Sequence, residues 1–132
     1  MLGYINHIGI VVQNIDEAIN LYSEVFGFQP SDILVSQEEG IKTTMVSAGC
    51  INIELMEPID PQGGVGKFLA KRGEGLHHIS FRVDNMEMVL DSLATKGIHP
   101  IGNQDTYFLD HKVRFIHPRF TRGILIELIQ KI

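Results

Sequence analysis

Four residues carry the types and spacing that could do chemistry: His7, Glu54, His78 and Glu127. His7 recurs as His78 at an offset of 71 residues, and Glu54 recurs as Glu127 at an offset of 73. A carboxylate on an apolar-lined face is costly unless it is paired or binds a metal. Two of them, each accompanied by an imidazole, form a donor set suited to a divalent ion. Mixed nitrogen and oxygen donors with room for water favour Mn, Co, Ni or Zn, and thiolate-preferring ions lack partners in a chain whose single cysteine is Cys50.

The recurrence belongs to a longer repeat. HIGIVVQNIDEAI from His7 lies over HISFRVDNMEMVL from His78, and INIELMEP from Ile51 lies over LIELIQK near the end. Each half opens with a short strand and an Asn at the expected helix N-cap. An apolar stripe follows: Ile15, Ala18, Ile19 and Tyr22 in one half, Met86, Val89, Leu90 and Leu93 in the other. That spacing predicts amphipathic helices ended by Gly27 and Gly97. Extended segments are expected over Ile33 to Ser36, Ile41 to Ser47 and Ile51 to Met56, then over Pro100 to Asn103, Val113 to His117 and Ile124 to Ile129. The plan is βαβββ, twice, which makes the fold class α+β. The chain reads as one domain, with a first module over 1–58, a connector over 59–75 and a second module over 76–132. Val65, Phe68 and Leu69 share a face of a short helix in the connector.

Strand parity sorts the candidates, because side chains alternate between faces. Ile8, Ile10 and Val12 form the row that covers a helix, leaving His7 on the other face; Ile51, Ile53 and Leu55 leave Glu54 there. The second half repeats this, with Ile79, Phe81 and Val83 opposed to His78 and Ser80, and Ile124, Ile126 and Leu128 opposed to Glu127. His77 has the parity of Ile79 and is expected in or beside the packed layer. His99, His111 and His117 have no partner in the repeat and read as structural, with His117 shaping the turn before Pro118.

At 132 residues with 44% hydrophobic and 20% charged residues, the chain has the make-up of an ordinary globular protein. A net charge of -5 is the wrong sign for a partner bound through its phosphates, so nucleic acid is not expected. No apolar run approaches the ~20 residues of a membrane span, and a membrane partner is not expected. A lone cysteine and the absence of a basic leader fit a cytoplasmic protein.

The repeated plan with His7, Glu54, His78 and Glu127 resembles the vicinal oxygen chelate superfamily (glyoxalase, bleomycin resistance protein and dioxygenase). EEGIK (Glu38 to Lys42), KFLAKRGEGLHHISFRV (Lys67 to Val83) and VRFIHPRFTRGILIEL (Val113 to Leu128) look like its methylmalonyl-CoA epimerase branch. The resemblance implies a cupped mixed sheet with helices on its outer face, a homodimer, and a divalent ion held by the four residues. It also implies enolisation of an acyl-CoA thioester, with Glu127 doubling as the base. The second family base, a glutamate three residues past the glycine of an E-Q-G-V motif, is Thr43 here; Glu38 or Glu39 on the adjoining turn is then the expected second proton donor. Before the seventh strand the family's G-x-G-G loop is replaced by Tyr107 to Asp110. Lys112 and Arg119, with Arg114 and Arg122, are expected near a CoA phosphate or substrate carboxylate, and Thr43 is expected to touch substrate. Two further readings stay open: a glyoxalase I-like lyase acting on a hemithioacetal, and a non-catalytic small-molecule-binding protein of the drug-resistance type.

Overall fold

The computed structural model describes residues 2–132. It divides into two compact units, one running from His7 to His77, the other comprising His78–Ile132 with the N-terminal residues up to Asn6. The first unit is built from β1 (Ile5–Val11), α1 (Ile15–Asn20), β2 (Gln29–Pro30), β3 (Leu34–Ser36), β4 (Ile41–Ala48), β5 (Ile51–Pro58) and α2 (Gly64–Arg72). Its strands run in the order β2-β4-β5-β1, with β3 also paired to β4. β1 and β5 are parallel, with Gly9 opposite Glu54, while β4 and β5 are antiparallel, with Met45 opposite Glu54. The second unit follows the same design with β6 (Gly75–Arg82), α3 (Met86–Ala94), β7 (Thr106–Phe108), β8 (His111–Ile116) and β9 (Ile126–Lys131), in the order β6-β9-β8-β7. Here β6 is parallel to β9, with Ser80 opposite Glu127, and Phe115 of β8 is also opposite Glu127. The chain is α+β, as the patterning predicts.

Both helices start as their sequences dictate. The Asn14 side chain accepts from the Glu17 amide and the Asn85 side chain from the Met88 amide, each at 3.0 Å. A second support comes from the last strand of each unit. Glu57 accepts from the Ile15 amide at 3.0 Å, and its counterpart Gln130 accepts from the Met86 amide at 2.6 Å. These bonds satisfy first-turn donors that have no intrahelical partner. Replacing the cap as Asn85→Ala is expected to lower stability by ~1 kcal/mol, with a melting point lower by a few degrees in a thermal scan. Beyond the helices, Gly27 and Gly97 take φ of 82° and 79°, the left-handed turn that ends a helix most easily at glycine.

α1 buries Ile15 among Val12, Val46 and Leu55, with Ala18, Ile19 and Tyr22 packed beside them. α3 does the same with Met86 and Val89 among Val83, Ile116 and Leu128. The predicted stripes are thus the packed faces. The connector helix α2 packs Val65, Phe68 and Leu69 against Val11, Ile41 and Met56. Val11 shares the strand parity of His7, and Met56 that of Glu54. α2 therefore covers the face opposite α1, the one that bears these two polar groups.

Apart from the short strand β2, which the sequence pattern does not mark, the main differences from the sequence expectation are these. The first helix widens after Asn20 into a π-helical turn, Leu21–Val25, in which the Phe26 amide bonds the Leu21 carbonyl at 3.0 Å. Pro100 to Asn103 is not a strand. Pro100 makes only an isolated bridge to Ile116, since it lacks a ladder donor, and Gly102 turns the chain with φ of 73°. The outer strand lies later, at Thr106–Phe108. Consequently Tyr107 to Asp110 is not an open loop but the end of β7 and a two-residue turn into β8, with Phe108 opposite His111. Leu109 takes φ of 53° there, a conformation that turns of this kind usually give to Gly, Asn or Asp. Among the described residues no helix is long and apolar enough to cross a membrane.

Candidate metal centre

In the first unit the parallel register sets Gly9, not a bulky residue, opposite Glu54. His7 Nε2 lies 3.5 Å from Glu54 Oε1, and the two residues are 2% and 6% exposed. The other carboxylate oxygen is held from the antiparallel side, where the buried Thr43 hydroxyl donates to Glu54 Oε2 at 2.9 Å.

The second unit builds the same pair from equivalent strands. His78 Nε2 lies 3.7 Å from Glu127 Oε2, and the residues are 4% and 7% exposed. The Ser80 hydroxyl donates to Glu127 Oε1 at 2.6 Å. Phe115, across from Glu127, turns its ring edge-on to the His78 imidazole with centroids 6.3 Å apart. Each unit therefore sets an imidazole beside a carboxylate in a buried position, and each carboxylate takes a hydroxyl hydrogen bond on its other oxygen.

The remaining candidates are scattered. His77 packs edge-on to Phe68 of α2 with centroids 5.0 Å apart, the packing role its parity implies. His117 caps the 3₁₀ turn Pro118–Phe120 by accepting from the Arg119 amide at 3.0 Å. Glu38 and Glu39 sit exposed on the turn before β4. Lys112 pairs with Gln130 across the strands, which puts it on the same face as Leu128 and α3, and it forms an ion pair with Asp105 at 3.3 Å. Arg114 shares that face and that partner, at 3.2 Å. Arg119 is exposed and stacks on Phe120 at 4.7 Å. The structure thus pairs His7 with Glu54 and His78 with Glu127 and adds Thr43 to the first pair, while Lys112 pairs with Asp105 and Glu38 and Arg119 are exposed. Sequence reading did not single out the hydroxyl of Ser80. Its parity with His78 was the available signal.

The donor set fits a divalent ion. Imidazole nitrogens and carboxylate oxygens are what Mn, Co, Ni and Zn accept, and buried carboxylates gain most from such a partner. Within each unit the imidazole nitrogen and a carboxylate oxygen lie near enough to serve as neighbouring donors to such an ion, at 3.5 Å for His7 and Glu54 and 3.7 Å for His78 and Glu127.

Residues 6–115 match the model of the glyoxalase/bleomycin resistance protein/dioxygenase superfamily. With a fold and a duplicated His/Glu pairing of this kind, the chain belongs to that superfamily. Its relatives point to one branch. The mitochondrial methylmalonyl-CoA epimerase of Homo sapiens is 31% identical over 98% of this chain and 74% of its own length. An uncharacterized protein of Bacillus subtilis, YqjC, is 32% identical over 96% of this chain and 91% of its own length. A variant of the Streptomyces coelicolor methylmalonyl-CoA epimerase, solved in complex with 2-nitronate-propionyl-CoA, superposes with a TM-score of 0.92 at 29% identity, covering 99% of this chain and 96% of that one.

Proposed function

We propose that the protein is a metal-dependent epimerase that moves the α-proton of a methylmalonyl-CoA-like thioester. The observation that carries this reading is the buried imidazole–carboxylate pair built twice from equivalent strands, on a chain whose similar proteins include methylmalonyl-CoA epimerases along nearly its full length. In this reading His7, Glu54, His78 and Glu127 hold one divalent ion of the Co, Mn, Ni or Zn type. When bound, the ion supplies Lewis-acid stabilisation of the charge that develops on the thioester oxygen, worth several kcal/mol.

The chain's own residues supply the rest. Glu127 accepts the α-proton at a carboxylate oxygen and returns it. Val11, Met56 and α2 cover one end of the polar face in the first unit, and Phe115 shields His78 in the second; a dry surround of this kind strengthens every charge interaction. Thr43 is buried and donates to Glu54, so it positions a ligand instead of serving as a base. Glu38 is the carboxylate this reading gives to the opposite substrate face. A homodimer belongs to the same reading.

The test is proton exchange. With Co(II) and methylmalonyl-CoA in deuterated water, mass spectrometry should find the α-position labelled, and a stereospecific coupled assay should find the centre inverted. Exchange without inversion would show that Glu127 works alone. No exchange, together with turnover of methylglyoxal plus thiol, would replace the epimerase by a glyoxalase-type lyase.

A further inference from the structure

We propose that Thr43 and Ser80 are positioning residues that hold Glu54 and Glu127 to one ligating oxygen each, keeping coordination positions open for a substrate that offers two oxygens. The inference rests on the metal reading above and concerns two residues that are not ligands in it.

The same division of labour occurs in both units. Glu54 turns Oε1 toward His7 and gives Oε2 to the Thr43 hydroxyl. Glu127 turns Oε2 toward His78 and gives Oε1 to the Ser80 hydroxyl. The hydroxyls nevertheless come from non-equivalent strands. Thr43 stands on β4 opposite Met56, and the matching position in the second unit is Val113, opposite Ile129. Ser80 stands on β6 opposite Glu127, and the matching position in the first unit is Gly9, opposite Glu54. Duplication of one half cannot account for this, because neither hydroxyl has a copy. A requirement shared by both carboxylates can.

The chemistry of that requirement follows from the bonds. Thr43 and Ser80 are 3% and 0% exposed, and a hydroxyl donating to an ionised carboxylate in a dry setting makes a short, strong bond. A carboxylate binds a metal through one oxygen or two. An oxygen already held by a hydroxyl is withdrawn from that choice. Four protein donors, one from each residue, would leave a six-coordinate ion two positions for substrate oxygens. A carboxylate that swung to bind through both oxygens would fill one of them and exclude a chelating substrate.

The experiment uses the full chain and its Ser80→Ala, Thr43→Val and doubly substituted variants. Co(II) is titrated and followed by its visible absorption, and oxalate is then titrated into the loaded proteins as a bidentate oxygen probe. Uptake of Co(II) is expected to change by no more than about tenfold, while oxalate affinity falls by about tenfold or more in Ser80→Ala and is restored in Ser80→Thr. Thr43→Val, nearly equal in volume, repeats the comparison where a cavity is not created. Oxalate affinity within about twofold of the parent in loaded variants would overturn the inference and leave the metal reading standing. A parent chain that takes up no Co(II) would overturn both.

Discussion

Glu127→Gln is expected to slow α-proton exchange by about 10²- to 10⁴-fold while the chain still binds Co(II). The substitution keeps the shape and one oxygen donor but removes the group that accepts a proton. Its carbonyl oxygen can face His78 as Oε2 does now. Its amide can meet Ser80, whose hydroxyl accepts as readily as it donates. Folding should therefore survive, and the loss of about 3 to 5 kcal/mol should fall on the barrier. Glu54→Gln is the control that gives the result its meaning. It makes the same isosteric change in the other pair, where the carboxylate faces His7 and accepts from Thr43, but no proton transfer is ascribed to it. Rates from deuterium incorporation and Co(II) binding on both variants check this. Equal losses of exchange in the two would remove the base role from Glu127 and leave only a shared role in holding the ion.

Much of this arrangement is legible in the sequence because it depends on periodicities that are local. Two-residue alternation puts His7, Glu54, His78 and Glu127 on one type of face, and the structure buries all four beside their expected partners. The 3.6-residue stripe and the two Asn caps fix α1 and α3 in the same way. The elements that were misplaced depend on pairing at a sheet edge. Pro100 to Asn103 is rich enough in extended signals to read as a strand, but the ladder of β8 is taken by Thr106–Phe108, which a local pattern does not reveal. The two helix-end acceptors Glu57 and Gln130 were visible in the repeat, yet their targets on α1 and α3 exist only once β5 and β9 are laid beside them. Ser80 and Thr43 show the same limit more sharply. A hydroxyl on a strand declares its face but not its acceptor. Lys112 shows how little charge alone fixes: its sign fits an anionic partner, but its face, the α3 side, and its neighbour Asp105 follow only from the register of β8 on β9.

The largest effect on stability is expected from Leu128→Ala. Leu128 is fully buried at the centre of the α3 core, among Val83, Met86, Val89 and Ile116, and it neighbours Glu127 on β9 while pointing to the opposite face. Truncation removes transfer energy and leaves a cavity that a β-strand held on both sides cannot collapse into, a combined loss of ~2 to 5 kcal/mol. At a urea m-value of ~2 kcal/mol/M, the unfolding midpoint should drop by ~1 to 2.5 M. Leu55→Ala should cost a similar amount, because Leu55 holds the equivalent place beneath α1 and is likewise 0% exposed. Met88 lies on the outer side of α3 and is 70% exposed, so Met88→Ala should stay within about 0.5 kcal/mol of the parent. Were Leu128→Ala to cost no more than Met88→Ala, the helix would not be anchored through this residue, and the strand that carries Glu127 would owe its position to something other than the core beneath it.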